Sequence, residues 1–255
     1  MKIAIVQTSL VWENPSDNRT LLEEKLSAIS PNTDLIVLPE MFTTGFTMQP
    51  QHCAETMEGS TVEWMQRWAQ KCEAAVVGSV VIKENGNYYN RLLFVHPEGK
   101  IEVYDKRHRF TLAGEDQVYT AGKKRLIVDY RGWKICPLIC YDLRFPVFSR
   151  NTENYDISLY VANWPAPRIQ AWDVLLRARA VENMCYTIGV NRVGTDGNNH
   201  PYVGHSQAID CFGNYLLAPQ TAEAIFYVEL DKTLLEENRK RFAFLSDQDT
   251  FTIID

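Results

Sequence analysis

Residues 133–146 read Trp-Lys-Ile-Cys-Pro-Leu-Ile-Cys-Tyr-Asp-Leu-Arg-Phe-Pro. The mostly apolar run over 133–140 predicts a buried β-strand, which places the Cys140 thiol at the end of that strand. The preceding run over 126–130 is predicted to pair with it as a hairpin around Arg131-Gly132. Loops at strand ends are free to shape a cleft, so Cys140 is a candidate nucleophile.

Two more predicted strands end in a reactive side chain. Glu40 ends the run Leu-Ile-Val-Leu-Pro over 35–39, and Lys106 follows Ile-Glu-Val-Tyr-Asp over 101–105. A nearby ammonium favours a thiolate and can also stabilise an oxyanion, while a carboxylate can take the thiol proton and later return it. Taken singly, the three residues are more often a surface carboxylate, a solvated lysine and a small buried core residue than catalytic groups.

Short apolar runs alternate with longer amphipathic segments along the chain, which indicates an α/β protein. Helices are predicted over 19–30, 61–74, 172–183 and 230–241, with Ser60 as the cap of the second helix. Strands are predicted over 3–7, 34–40, 75–83, 88–95, 100–104, 126–130, 133–140, 157–162, 185–191, 206–210 and 223–229. All-apolar strands occur together with tight hairpins, which favours sheets of mixed direction. No linker divides the chain, so residues 1–255 are predicted to form a single domain.

Composition excludes several classes of partner. The chain carries 26 Lys and Arg against 32 Asp and Glu, for a net charge of -6, which argues against binding to a nucleic-acid backbone. No apolar stretch approaches the roughly 20 residues of a membrane span, and no secretory apolar region is present, so we expect a cytoplasmic protein. The six cysteines contain no Cys-x-x-Cys pair and the five histidines show no ligand spacing. We therefore expect reduced thiols and no metal site.

Three segments, in the order Glu, Lys, Cys, resemble the signatures of the nitrilase superfamily of carbon-nitrogen hydrolases. They are Leu-Pro-Glu-Met-Phe over 38–42, Tyr-Asp-Lys-Arg-His over 104–108 and Cys-Tyr-Asp-Leu-Arg-Phe-Pro over 140–146. Connecting segments, such as Ala-Asn-Trp-Pro over 162–165, extend the resemblance over essentially the whole chain. Within the superfamily, Glu-Met-Phe-Thr-Thr-Gly-Phe over 40–46 is most similar to the bacterial omega-amidase branch.

The resemblance implies a four-layer α-β-β-α sandwich with two mixed β-sheets, assembled as a homodimer or a higher homo-oligomer. It implies that Cys140 is the nucleophile, that Glu40 is the general base, and that Lys106 and the backbone N–H of Tyr141 form the oxyanion hole. Glu115 matches a second glutamate of the superfamily and is expected to orient Lys106 or the substrate amide. The implied reaction hydrolyses the ω-amide of 2-oxoglutaramate or 2-oxosuccinamate through a cysteine thioester, and no motif indicates a cofactor.

The substrate pocket is predicted less fully. A keto-acid amide carries a carboxylate, so a cationic clamp is expected, and Arg168 is the candidate, with a solvated loop arginine as the alternative. Arg144 is expected to pair with Asp142 or another carboxylate and to stabilise the loop after the nucleophile. Three aromatic side chains are expected to wall a small pocket, with core packing as the alternative: Phe42, Phe46 and Trp164.

Two other functions stay open at this point. The first is another reaction on the same scaffold, by an aliphatic nitrilase, a carbamoylase or a deaminated-glutathione amidase, because all of these use the same attack. The second is a catalytically silent binding or assembly protein that keeps the fold. The presence of all three reactive groups argues against the silent protein.

Overall fold

The computed structural model describes residues 1–253 of the chain. Within these residues lie 14 β-strands, which account for the short apolar runs of the sequence. Their bounds are β1 Lys2–Gln7, β2 Leu35–Val37, β3 Ala75–Glu84, β4 Asn87–Val95, β5 Ile101–Asp105, β6 Val128–Tyr130, β7 Trp133–Ile139, β8 Ile157–Ala162, β9 Tyr186–Asn191, β10 Val193–Thr195, β11 Pro201–Val203, β12 Ser206–Ile209, β13 Tyr215–Gln220 and β14 Ala224–Glu229. The short strands β10, β11 and β13 were not predicted from the sequence.

The α-helices of the same residues are α1 Pro15–Ser27, α2 Ser60–Cys72, α3 Glu115–Val118, α4 Pro146–Ser149, α5 Ile169–Asn183 and α6 Lys232–Arg241. Helix α1 begins four residues earlier than predicted, because the side chain of Asn14 accepts a hydrogen bond from the Asp17 N–H at 3.1 Å and caps the helix. The prediction that Ser60 caps α2 is wrong: Gly59 is the cap residue. The Glu55 carboxylate accepts from the Thr61 N–H at 2.7 Å instead. None of the helices in the described part of the chain is both long and apolar enough to cross a membrane.

Twelve of the strands form two six-stranded sheets with the same plan, and β10 and β11 pair with each other in a separate two-stranded sheet. The first sheet has the order β14-β1-β2-β3-β4-β5, and the second has the order β13-β12-β9-β8-β7-β6. In each sheet three neighbouring strands run parallel, β1-β2-β3 in one and β7-β8-β9 in the other, and the flanking strands are antiparallel. Both sheets are mixed, as predicted.

The two sheets pack face to face with helices on their outer sides. In β1, Ile3 and Ile5 join a core cluster that includes β7, β8 and β9 of the second sheet. The alternate residues Ala4 and Val6 join a second cluster with the apolar faces of α1 and α2. Helix α5 covers the outer face of the second sheet, where Gly189 admits it closely: a Cβ there would lie 2.4 Å from Leu176. The predicted four-layer α-β-β-α sandwich is confirmed.

Candidate active site

Three strand ends bring the predicted reactive groups together. Cys140 follows β7 and Lys106 follows β5 directly, whereas Glu40 comes three residues after β2, because that strand ends at Val37 rather than at residue 40. Glu40 and Lys106 therefore come from the first sheet and Cys140 from the second. All three side chains are buried, and only Cys140, at 9% exposure, reaches solvent to a measurable degree. Cys140 has φ +41°, in the left-handed region that non-glycine residues rarely adopt and that is often found at functional sites.

Lys106 links two carboxylates. Its Nζ donates to Glu40 Oε1 at 2.9 Å and to both oxygens of Glu115 at 2.9 Å. Glu115 begins α3, directly after Gly114 at φ +76°, and its Oε2 accepts a further bond from the Phe110 N–H at 2.5 Å. The second glutamate thus holds the ammonium together with Glu40, which fits the orienting role that the resemblance implies.

Two asparagines that sequence reasoning missed hold Glu40 in place. Asn90 Nδ2 donates to Glu40 Oε1 at 2.8 Å, and the Asn163 N–H donates to Oε2 at 2.8 Å. Asn163 Nδ2 also donates to the Glu40 carbonyl at 2.5 Å. Two features of the sequence carried a signal for these residues. Asn90 is a polar residue within the strand β4, where a buried side-chain amide needs a hydrogen-bond partner. Asn163 directly follows the strand β8.

The electrostatics favour a neutral resting nucleophile. Burial and the nearby Glu40 charge raise the pKa of the Cys140 thiol well above its usual range, although Lys106 opposes them. Burial acts to lower the pKa of Lys106, but Glu115 and Glu40 outweigh it and raise that pKa. Burial likewise raises the pKa of Glu115 against the influence of Lys106. Lys106 thus favours the thiolate, as expected from the sequence, while burial and Glu40 favour the neutral thiol.

A cavity of about 350 Å³ opens above the thiol. Of the predicted pocket residues, Phe46, Trp164 and Arg168 line it, together with Tyr141. The full lining is Phe46, Met48, Lys106, Phe110, Leu112, Ala113, Cys140, Tyr141, Arg144, Asn163, Trp164, Pro165, Arg168, Asp196, Asn198, His200 and Tyr202.

Phe42 does not line this cavity, so its prediction as a pocket wall is wrong. Its side chain is fully buried in the cluster between the first sheet and α2, with its ring centre 5.9 Å from that of Trp64. The chain turns sharply after Glu40, and Met41 adopts φ +42°. Phe42 consequently faces the helix layer, while the Glu40 carboxylate contacts Lys106 and Asn163.

The expected pairing of Arg144 with Asp142 is also wrong. Asp142 is fully buried, and its oxygens accept hydrogen bonds from the Tyr104 hydroxyl at 2.7 Å, the Ile139 N–H at 3.0 Å, and His108 at its N–H and Nδ1. These donors fill the carboxylate. Arg144 points into the cavity instead, with its guanidinium 5.0 Å from the ring centre of Trp164.

A sequence model of the carbon-nitrogen hydrolase family matches residues 2–240. The chain belongs to the carbon-nitrogen hydrolase family. This hydrolase is 44% identical over 254 residues to Omega-amidase YafV of Escherichia coli strain K12, covering 99% of this chain and 98% of that protein. It is 32% identical over 250 residues to the 2-oxoglutaramate amidase of Bacillus subtilis strain 168, covering 96% of each chain.

Solved structures of carbon-nitrogen hydrolases share the fold. The CN-hydrolase superfamily protein XC1258 from Xanthomonas campestris superposes with a TM-score of 0.97 at 41% identity, covering 99% of this chain and 98% of that chain. Nit3 of Saccharomyces cerevisiae, a member of branch 10 of the nitrilase superfamily, has a TM-score of 0.85 at 26% identity, with 95% and 94% coverage. The resemblance to the nitrilase superfamily is confirmed.

Proposed function

We propose that this carbon-nitrogen hydrolase is an omega-amidase, which hydrolyses the ω-amide of a keto-acid monoamide to the keto acid and ammonia. The observation that carries the proposal is the buried Lys106 bridging Glu40 and Glu115 beside the Cys140 thiol, at the floor of a small cavity. Relatives named Omega-amidase and 2-oxoglutaramate amidase support 2-oxoglutaramate and 2-oxosuccinamate as the substrates.

Acylation begins with proton transfer from Cys140 to Glu40 as the sulfur attacks the amide carbon. The negative charge that develops on the amide oxygen is stabilised by the Lys106 ammonium and by the backbone N–H of Tyr141, which follows the nucleophile. Glu40 then gives its proton to the leaving nitrogen, the carbon–nitrogen bond breaks, and ammonia departs. The product of this half-reaction is a thioester on Cys140.

Deacylation uses the same groups, with a water molecule in place of the thiol as the nucleophile. Glu40 takes a proton from a water molecule, whose oxygen attacks the thioester carbon, and the same oxyanion donors stabilise the second tetrahedral intermediate. The carbon–sulfur bond breaks, the keto acid leaves, and the proton returns to the Cys140 sulfur. Throughout, Glu115 holds Lys106, and Asn90 and Asn163 hold Glu40, so little reorganisation is needed as charge develops.

The cavity suits a small acidic amide. Phe46 and Trp164 provide apolar walls, and Lys106 Nζ lies 5.1 Å from the ring centre of Phe46. Arg168 lines the same cavity, with its guanidinium 4.8 Å from the ring centre of Phe110. We assign Arg168 to the substrate carboxylate, because a guanidinium offers two parallel donors to such a group.

Ammonia release from a substrate panel tests the function. We expect 2-oxoglutaramate and 2-oxosuccinamate to be turned over in preference to glutamine, aliphatic nitriles and N-carbamoyl acids. The Cys140→Ala variant should lose nearly all turnover, and so should Glu40→Gln, because Glu40 serves as base and acid in both half-reactions. Wild-type protein quenched during turnover should carry a thioester adduct visible by intact-mass measurement. Preference for a nitrile or a carbamoyl acid would assign another reaction of the family, and turnover retained by Cys140→Ala would overturn the mechanism.

We further propose that residues 1–255 act as one domain, in the cytoplasm, as a homodimer and without a cofactor. Exposed apolar side chains on the outer face of α5 and the adjoining turn support the pairing: Val174, Val181 and Phe212. Arg177 Nε joins the helix to this turn by donating to the Gly213 carbonyl at 3.1 Å. A monomeric mass by light scattering at micromolar concentration would exclude the dimer.

A further inference from the structure

The cavity holds two arginines with no ion-pair partner among residues 1–253. Lys106, the third fixed cation of the lining, is neutralised by Glu40 and Glu115. By contrast, no carboxylate of the described residues lies within salt-bridge distance of the Arg144 or Arg168 guanidinium, and both side chains are only half-buried. Unpaired cations that converge on a cavity are available to an anionic ligand.

The one carboxylate of the lining, Asp196, is already occupied. It accepts hydrogen bonds from the Asn198 N–H at 2.8 Å, the Tyr202 hydroxyl at 2.9 Å, and His200 at its N–H and Nδ1, at 3.0 and 3.2 Å. These donors use its lone pairs within its own loop. The cavity thus offers free positive charge and no free acceptor carboxylate.

Both guanidinium groups are oriented by aromatic rings. Arg144 lies over Trp164 at 5.0 Å and Arg168 lies over Phe110 at 4.8 Å. Trp164 itself is fixed, because its N–H donates to Asn191 Oδ1 at 2.8 Å and its Nε1 donates to the Arg168 carbonyl at 2.8 Å. A guanidinium that is stacked on a ring keeps its N–H edge free for a planar anion and loses little entropy on binding it.

We propose that Arg144, acting with Arg168, is a specificity-determining residue that binds the carboxylate of the substrate. This inference rests on the proposed function and adds a second guanidinium to it. Arg144 ends the short helical turn Cys140–Arg144 that begins with the nucleophile. The Leu143 carbonyl of this turn accepts from Arg179 at 2.6 Å, which ties the turn to α5. Carboxylate binding at Arg144 therefore positions the amide carbon with respect to the sulfur through a short, anchored segment.

The same charges are expected to disfavour the binding of amino acids. The amide of an amino acid carries an ammonium beside its carboxylate, and that ammonium would lie near Arg144 and Arg168 without an acceptor. Like charges brought together in this way disfavour the wrong ligand. We expect a 2-keto acid monoamide to bind better than glutamine, with Arg144 contributing to the difference.

Protection of Cys140 from alkylation tests the site without relying on turnover. Chloroacetamide labels the Cys140 thiol, and the labelled peptide is quantified by mass spectrometry while 2-oxoglutarate, a dicarboxylate product, or butyramide, an uncharged amide, competes. Each protective concentration is determined relative to the labelling rate of the same variant without a competitor. For Arg144→Gln we expect the protective concentration of 2-oxoglutarate to rise about 10- to 100-fold, with butyramide affected far less. For Arg144→Lys we expect a protective concentration between those of the wild type and Arg144→Gln. Lysine keeps the positive charge but lacks the two parallel N–H donors of the guanidinium.

The matched control is Arg241→Gln, at the exposed end of α6, which should protect as the wild type does. An equal loss of protection by both competitors would indicate general damage to the pocket and overturn the inference, as would unchanged protection by 2-oxoglutarate in Arg144→Gln. Wild-type protein that 2-oxoglutarate protects but that releases no ammonia from any keto-acid amide would refute the proposed function and leave the carboxylate site standing.

Discussion

The Cys140 sulfur lies near Glu40 and Lys106, whose charges are opposite, and their effects on the pKa of the thiol do not cancel burial. Burial and Glu40 raise the pKa of the thiol, and Lys106 opposes them with a charge that it shares between two carboxylates. A thiol in this setting reacts only when its proton has somewhere to go. In the proposed mechanism, proton transfer to Glu40 accordingly accompanies the attack of the sulfur.

The direction in which one substitution changes the alkylation rate of Cys140 distinguishes this arrangement from a preformed thiolate. If Glu40 is the base, Glu40→Gln should slow alkylation of Cys140 at pH 7 by about tenfold or more, because general-base assistance is lost. A resting thiolate held by Lys106 would instead react as fast or faster, since a neighbouring negative charge has been removed. The measurement is the iodoacetamide rate at Cys140 from pH 6 to pH 11.

Glu63→Gln, at an exposed position in the first turn of α2, is the control and should leave the alkylation rate unchanged. The difference between Glu40→Gln and wild type should shrink toward pH 11, where hydroxide takes over the role of the base. A faster Glu40→Gln variant at pH 7 would contradict the role of Glu40 as the general base of Cys140.

At the scale of elements, Asp142 joins the two segments that carry Lys106 and Cys140. Tyr104 belongs to β5 and Ile139 ends β7, and both donate to the same buried carboxylate. His108, in the loop after Lys106, donates to it from the backbone N–H at 3.1 Å. One side chain of the nucleophile turn thus fixes the relative position of a strand end in each sheet.

We expect Asp142→Ala to lower the free energy of unfolding by about 3 kcal/mol, because several buried donors lose their shared acceptor. The measurement is urea unfolding at pH 7, with Asp129→Ala on the exposed side of β6 as the control. Asp142→Ala should also reduce kcat, through displacement of Lys106 relative to Cys140. Wild-type stability in Asp142→Ala would mean that packing alone holds the two segments together.

Much of the fold could be predicted from the sequence because strand runs have a local signal. The runs ending near Glu40, Lys106 and Cys140 were predicted within a few residues, and the motifs supplied the layer order through resemblance. The sequence carries no comparable local signal for the direction in which each side chain points. Phe42 and Glu40 are two residues apart, yet their side chains face opposite layers. Asp142 accepts hydrogen bonds from donors such as Tyr104, which is distant in sequence, and not from Arg144. Only the tertiary structure reveals these contacts.

At the scale of the whole molecule, the core contains thiols and phenols that resist ionisation. Burial raises the pKa of Cys185 to about 11 and raises the pKa of Cys136 and Tyr160 as well. Between about pH 9 and pH 11 the folded protein keeps protons that the unfolded chain has released. The unfolded state then binds fewer protons, so stability present below pH 9 is lost as the pH rises.

We therefore expect the free energy of unfolding to be level near pH 8 and to fall above about pH 9, by about 1.4 kcal/mol per pH unit for each such proton. Cys185→Ala removes one of these groups, and its stability should fall less steeply between pH 9 and pH 11 than that of the wild type. Urea unfolding over this range provides the measurement. Parallel slopes for the two proteins would show that Cys185 does not contribute to the alkaline loss.

The division of the reactive groups between two sheets has a consequence during synthesis. Glu40 and Lys106 leave the ribosome before Cys140, and the strands β8, β9, β12 and β13 of the second sheet are made later still. A nascent chain with only its first half folded carries a base and a cation but no nucleophile between them. The three groups therefore meet only when the two sheets pack against each other, and turnover is expected only from the completed fold.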